Sequence, residues 1–278
     1  MTASEARARF AALVAASDDA LDLGYAALWL AAEEYPGLDV EAYASRFDAL
    51  ASAVAARPLS APPPDGRLRV LNGYLFDELG FRGNAADYYD PRNSFLNEVL
   101  DRRIGIPITL AVVHLEVGWR LGLPLAGVGM PGHFLVGYYP PGAPPQYIDV
   151  FAGGLVLDQA ACAARLRAQF GGFAPRDEHF APVSKRQILA RMLTNLKHIY
   201  AERGDWQRAL AAIERLLLVQ PGALGELRDR GLVHLRRGDL RAARRDLRRY
   251  LELAPQAPDA AAIEQELAQA DNLWARRN

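Results

Sequence analysis

The sequence predicts an α+β domain, helices first and then an antiparallel sheet packed on a buried helix, followed by an all-α domain of repeats. Three observations carry this. Apolar residues recur at helical spacing through most of residues 4–121, and the period then drops from 3.6 to 2 between 125 and 157. Near the end, Gly204-Asp205, Ala209 and Pro221 return as Gly238-Asp239, Ala243 and Pro255, each displaced by 34 residues. The expected domains are therefore 1–183 and 184–278.

Ala-rich periodic segments at about 4–17, 19–34 and 40–56 predict three helices, and Pro58-Leu-Ser-Ala-Pro-Pro-Pro-Asp-Gly66 reads as a surface connection. Helical patterns resume at 67–81 and, opened by Pro91, at 92–103. Pro107 to Leu121 is apolar on nearly every face, which predicts a central buried helix. Residues 125–129, 133–139 and 146–151 read as strands, with Pro140-Pro-Gly-Ala-Pro-Pro145 as a hairpin connection unable to supply ladder donors. A short strand at 155–157 and a helix over about 158–170 complete the domain.

The 34-residue period is that of tetratricopeptide repeats, expected at about 190–223 and 224–257. Leu196, Tyr200, Ala209 and Pro221 fall on the first repeat's signature positions, and Leu227, Gly231, Ala243 and Pro255 on the second's. Lys197 at a small-residue position and His234 at an aromatic one depart from the pattern. Small residues let antiparallel helices approach closely, and each proline stops the helix before it. Ile263, Leu267, Ala270, Leu273 and Trp274, at helical spacing, predict a capping helix.

A chain of 278 residues with 51% hydrophobic and 23% charged content suits a globular protein of roughly two domains, and excludes disorder, collagen and coiled coil. No apolar stretch reaches the roughly 18 to 20 residues of a membrane span, and the first residues lack an apolar signal region, so a cytoplasmic location is expected. The single Cys162 can form neither an intrachain disulfide nor a Cys-based zinc site. Charge is divided unevenly: residues 184–278 carry 18 Lys and Arg against 12 Asp and Glu, residues 1–183 carry 14 against 21.

The order of buried helix, strand beginning at His133 and strand containing Asp149 resembles the transglutaminase-like, papain-related core, in which a Cys opens the helix and His and Asp lie on adjacent strands. Four motifs resemble the SirB-type proteins, which join such a core to tetratricopeptide repeats: Tyr88-Tyr-Asp-Pro-Arg-Asn-Ser-Phe-Leu-Asn97, Arg103-Ile-Gly-Ile-Pro-Ile-Thr-Leu110, Gly129-Met-Pro-Gly-His-Phe-Leu135 and Ile148-Asp-Val-Phe-Ala-Gly-Gly154. The resemblance covers roughly residues 30–270. It implies a site of His133 and Asp149, with Asn93, Ser94, Asn97, Pro107, Pro131, Phe134 and Phe151 as surrounding motif residues.

In a Cys-His-Asp hydrolase His133 would take the nucleophile's proton while Asp149 fixes its tautomer. With the hairpin centred near residue 142, His133 lies opposite Phe151 and diagonal to Asp149. Counting back from Arg120-Leu-Gly-Leu-Pro124 puts Pro107 where catalytic relatives carry Cys. Proline has no nucleophile and is well suited to the first position of a helix. The expected function is a non-catalytic module that binds a protein or peptide through its repeats, or a ligand through the residual His133/Asp149 pocket. The alternative is an amide or ester hydrolase, or acyl transferase, with Thr109 or Ser94 as nucleophile and His133 as base. Third, Asn93, Ser94 and Asn97 can serve as caps and turn contacts alone.

No metal and no cofactor are expected. His114 and Glu116 diverge by about 200° on their helix, His-Glu-x-x-His is absent, and Gly153-Gly154 lacks the Lys and helix start of a phosphate loop. Arg241, Arg244, Arg245, Arg248 and Arg249 make one basic stripe, read as a solvated face. It lacks the aromatic interleaving of single-strand binders, so nucleic acid is not the expected partner. The sequence sets neither the partner nor the oligomeric state.

Overall fold

The computed structural model describes residues 2–59 and 65–276, and the chain divides into two compact units, Met1–Met192 and Leu193–Asn278. In the first unit, side-chain oxygens start the opening helices. Thr2 caps α1 (Ala3–Val14), Asp22 caps α2 (Leu23–Glu34) through the Tyr25 amide at 2.9 Å, and Asp39 caps α3 (Val40–Ala55) through Ala42 at 3.0 Å. The Asp22 cap is why the second helix begins at 23 rather than near 19. Of the expected 58–66 connection, residues 60–64 lie outside the described residues; Asp65 and Gly66 already belong to α4 (Asp65–Asn72).

The helix expected over 67–81 changes character. α4 passes into a π-helix, Gly73–Glu78, closed by Leu79 N donating to Tyr74 O at 2.9 Å. The helix expected over 92–103 is broken: a 3-10 turn, Pro91–Ser94, is separated from α5 (Leu96–Arg102) by Phe95 in an extended conformation. The Asn93 carbonyl accepts the Thr109 hydroxyl at 2.7 Å instead of a helical amide, which explains the break. On either side lies a two-residue parallel pairing, β1 (Arg82–Gly83) with β2 (Ile104–Gly105), too short to leave a periodic trace in the sequence.

α6 (Pro107–Arg120) is buried from Pro107 through Gly118, as its uniformly apolar composition predicts. The sheet packs directly on it: a Cβ on Gly118 would lie 2.2 Å from Leu125 Cδ1. That sheet has five antiparallel strands in the order β6-β5-β4-β3-β7: β3 (Leu125–Val128), β4 (Leu135–Tyr138), β5 (Gln146–Asp149), β6 (Leu155–Leu157) and β7 (Pro182–Val183). Val136 faces Ile148 and Gly137 faces Tyr147, a register centred on residue 142. β4 starts two residues later than predicted because Met130–His133 is a turn, with His133 N donating to Met130 O at 3.1 Å and Gly132 at φ +69°. α7 (Gln159–Phe170) closes over Val128, Met130, Leu135 and Tyr147 with Cys162 and Leu166. β7, preceded by a 3-10 turn at Asp177–Phe180, is an edge strand where a proline is tolerated.

α8 (Lys185–Glu202) begins in the first unit and carries the chain into the second. There α9 (Trp206–Val219), α10 (Leu224–Arg236), α11 (Leu240–Leu253) and α12 (Ala260–Ala275) alternate in helical hairpins, α12 standing where the cap was expected. Gly204 and Gly238 take matching left-handed conformations, φ +70° and +76°, one at each turn before an Asp-capped helix. Gly231 allows close approach, since a Cβ there would sit 2.6 Å from Leu247 Cδ2. Lys197, out of place for a small-residue position, instead reaches α10 and pairs with Glu226 and Asp229, both at 2.8 Å. The Arg stripe is largely consumed within the unit: Arg244 and Arg248 pair with Asp271, Arg245 with Asp246 and Arg249 with Glu252. Among the described residues no helix is long and apolar enough to cross a membrane.

Candidate functional site

His133 and Asp149 come together at the end of the sheet. The turn that removes His133 from β4 lets its ring reach the last residue of β5: Nε2 to Asp149 Oδ1 is 3.0 Å. A carboxylate partner favours the proton on Nε2, which leaves Nδ1 to hydrogen-bond a ligand. The Asp149 side chain is 5% exposed and that of His133 is 20% exposed, so the pair is sheltered but reachable.

Asp149 is held from three sides. Besides His133, Oδ1 accepts the Ala152 amide at 3.1 Å and Oδ2 accepts Arg165 Nη1 at 2.8 Å. Burial pushes its pKa up, but the His133 bond and charge, the Ala152 amide and Arg165 together outweigh burial and hold the carboxyl below its ordinary range. The turn after β5 is pinned as well, with Gly154 N donating to Asp149 O at 2.9 Å. Gly154 has φ +78°, and a Cβ there would lie 2.3 Å from Phe76. No side chain other than hydrogen fits this turn without displacing the π-helix.

Phe151 meets the His133 ring edge-on, with centroids 6.4 Å apart, and Tyr88 in turn meets Phe151 at 6.0 Å. Phe151 rests on Gly83, whose Cβ would come within 2.4 Å of its ring. Tyr88 is placed by Asn93, whose side-chain amide donates to Asp87 O at 2.7 Å and Tyr88 O at 3.2 Å. The Tyr88–Asn97 motif therefore builds an aromatic wall beside the histidine.

The other motif residues serve the framework. Thr109 is fully buried, and its hydroxyl donates to Asn93 O while accepting the Ile106 amide at 3.2 Å. Its proton is thus committed to Asn93 and not to His133. Pro107 occupies the first position of α6. Ser94 Oγ and Asn97 Oδ1 are buried with no hydrogen-bond partner among the described residues. Phe134 points into the core against Gly127, and Pro131 lies in the turn before His133. Cys162 is buried and its thiol is pushed up to about 11 by burial, which makes it inert.

Sequence reasoning missed Arg165 and Arg191, neither of which belongs to a motif. It also missed a buried polar chain behind the site. His114 Nε2 bonds Asn72 Oδ1 at 2.8 Å, and Asn72 Nδ2 donates to Gly154 O at 3.4 Å. The His114 ring is fully buried, stacks on Phe76, and has its pKa lowered to about 3 by burial. The Phe76 contact at Gly154 was foreshadowed only by the Gly153-Gly154 pair. Among the described residues no three His, Cys, Asp or Glu side chains converge as metal ligands would.

Comparison with known proteins agrees with this architecture. Residues 41–194 match the transglutaminase-like superfamily, and residues 196–268 match a tetratricopeptide repeat family. A UPF0162 protein of Xylella fastidiosa is 41% identical over 254 residues, 87% of this chain and 88% of its own length. A UPF0162 protein of Vibrio cholerae is 31% identical over 195 residues, 70% of this chain and 72% of its own. F-box only protein 21 of Mus musculus is 33% identical over 144 residues, 49% of this chain but 22% of its own. No solved structure matches. With a transglutaminase-like domain followed by tetratricopeptide repeats, and with relatives similar over most of its length, the chain belongs to the UPF0162 family.

Proposed function

We propose that this protein is a non-catalytic binding module of the cytoplasm, kin to the SirB-type proteins. Its His133/Asp149 pocket holds a ligand and its repeats dock a protein or peptide. The observation that carries this reading is the start of α6. Pro107 stands where the resemblance places a nucleophile, and the nearest hydroxyl along the helix, that of Thr109, is buried and bonded to Asn93. A His-Asp pair without a nucleophile at the helix start is a hydrogen-bonding surface rather than a catalytic base. The pairing of Arg244, Arg245 and Arg248 with carboxylates of their own unit speaks against nucleic acid as the partner.

The test is a panel of activated esters, amides and acyl acceptors, run on the full chain and on His133→Ala. The expected result is no turnover that depends on His133. Turnover abolished by His133→Ala refutes the reading, and in that case Ser94 is the residue to examine, because its hydroxyl has no hydrogen-bond partner among the described residues. Proteins recovered with the tagged full chain are expected to be lost when residues 193–278 are removed, provided that circular dichroism shows the remaining unit folded.

A further inference from the structure

Close to His133 lies a positive charge that no carboxylate among the described residues balances. Arg191, on the first-unit part of α8, donates through Nη2 to His133 O at 2.8 Å and Met130 O at 3.2 Å. Its guanidinium lies over the Phe134 ring, 5.5 Å from the centroid. Gly129 leaves it room, since a Cβ there would sit 3.2 Å from Nη1. Among the described residues no carboxylate pairs with it. The neighbouring cation, Arg165, is already matched by Asp149.

Burial pulls the Arg191 pKa down, and the Tyr88 hydroxyl is within electrostatic reach of it. A guanidinium nevertheless stays protonated at any physiological pH. Partly desolvated charge without a counter-ion is costly, and the cost is recovered when an anion arrives. Tyr88 meets Phe151 at 6.0 Å and Tyr89 edge-on at 5.3 Å, and Tyr89 is 61% exposed. Partly exposed rings within electrostatic reach of a guanidinium suit a ligand with an apolar body and a planar acid.

We propose that Arg191 and the Tyr88/Tyr89/Phe151 wall form a subsite for a carboxylate carried on an apolar or aromatic body, placed next to His133 Nδ1. The proposal rests on the reading of the pocket as a ligand-holding one and names the class of ligand. Asp149 and Arg165 are paired with each other, which leaves Arg191 as the guanidinium with no paired carboxylate among the described residues. One carboxylate balances it. A phosphate dianion would add a second negative charge close to Asp149, and is for that reason the weaker fit.

The test is calorimetric titration of the full chain with hippurate (N-benzoylglycine), with its neutral amide, and with inorganic phosphate. Saturable binding of hippurate is expected, with the amide at least tenfold weaker and phosphate a poor competitor. Arg191→Gln should weaken hippurate at least tenfold. Because Arg191 also ties the Met130–His133 turn, Tyr89→Ala is the second variant: the tyrosine is 61% exposed, and its loss should weaken hippurate severalfold while the chain keeps a cooperative thermal melt. No saturable hippurate binding, equal binding of the amide, phosphate competing as well as hippurate, or full affinity in Arg191→Gln would each overturn the proposal. His133-dependent hydrolysis of a hippuryl ester would refute the non-catalytic reading and leave the subsite standing. Absence of hippurate binding would remove the subsite and leave that reading intact.

Discussion

Replacing Asp149 measures what the His133–Asp149 pair contributes to stability. In Asp149→Ala, His133 Nε2 loses its 3.0 Å acceptor inside a site where the carboxylate was 5% exposed. Arg165 contributes little to the cost, because its side chain is 43% exposed and water replaces the lost partner. The Ala152 amide is not orphaned either, since it also lies 3.2 Å from Asp149 O. What remains is one charge-assisted bond and one partly desolvated donor, about 2 to 3 kcal/mol. Asp149→Asn keeps an acceptor for Nε2 and should cost about 1 kcal/mol. Burial opposes ionisation of Asp149, but its partners prevail and hold its pKa below 3.8, so the charge contributes stability above that value and loses it as pH falls through the lower, folded pKa. The stability gap between wild type and Asp149→Asn should therefore be full at pH 7 and close in acid. Urea unfolding followed by near-ultraviolet circular dichroism, at pH 7 and near pH 3, measures both variants. Equal losses for Ala and Asn, or a gap that widens in acid, would refute the reasoning.

Other expectations concern the surroundings. Burial lowers the His114 pKa from 6.5 to about 3, so the unfolded chain binds a proton there that the folded one refuses. Stability should fall by about 1.4 kcal/mol per pH unit as pH drops from 6.5 toward 3, a component absent from the pH profile of His114→Gln. Gly83→Ala would put a methyl into the Phe151 ring and should cost about 1 to 3 kcal/mol; proton shifts of His133 would follow the displaced ring, and unchanged shifts would show that the contact is not tight. Lys197→Ala leaves Glu226 and Asp229 facing each other and should destabilise the second unit by about 2 to 3 kcal/mol, whereas Lys197→Met should cost less; equal thermal shifts would refute this. Asp271→Asn frees Arg244 and Arg248 but should change stability by less than about 1 kcal/mol, because the ion pairs are half-exposed; a larger shift in the melt would mean that the pairs hold α12.

Most of the fold was legible because it is periodic. The buried run from Pro107, the alternation of 125–157 and the 34-residue repeat each involve many residues that agree with one another. The hairpin register followed from one symmetric connection, Pro140–Pro145. The misses are features set by single tertiary contacts. Phe95 breaks a helix because Thr109 takes a carbonyl, His133 leaves its strand because of one turn, and the π-helix carries Phe76 to a glycine. At the site, His133 and Asp149 could be named from motifs, whereas Arg165 and Arg191 look like any other surface arginine on an amphipathic helix. Their role depends on which carboxylate is near, and a sequence does not display distance.

The proline at the head of α6 removes more than a side chain. A peptide nitrogen closed into a ring carries no hydrogen, so the backbone donor that a helix start would aim at a developing oxyanion is missing at residue 107 as well. Cysteine at this position would supply a thiol and an amide together, whereas any residue without a nucleophile would supply only the donor. Residue 107 is therefore one position at which protein engineers can ask, by Pro107→Cys, whether the surrounding His133 and Asp149 can support acyl chemistry.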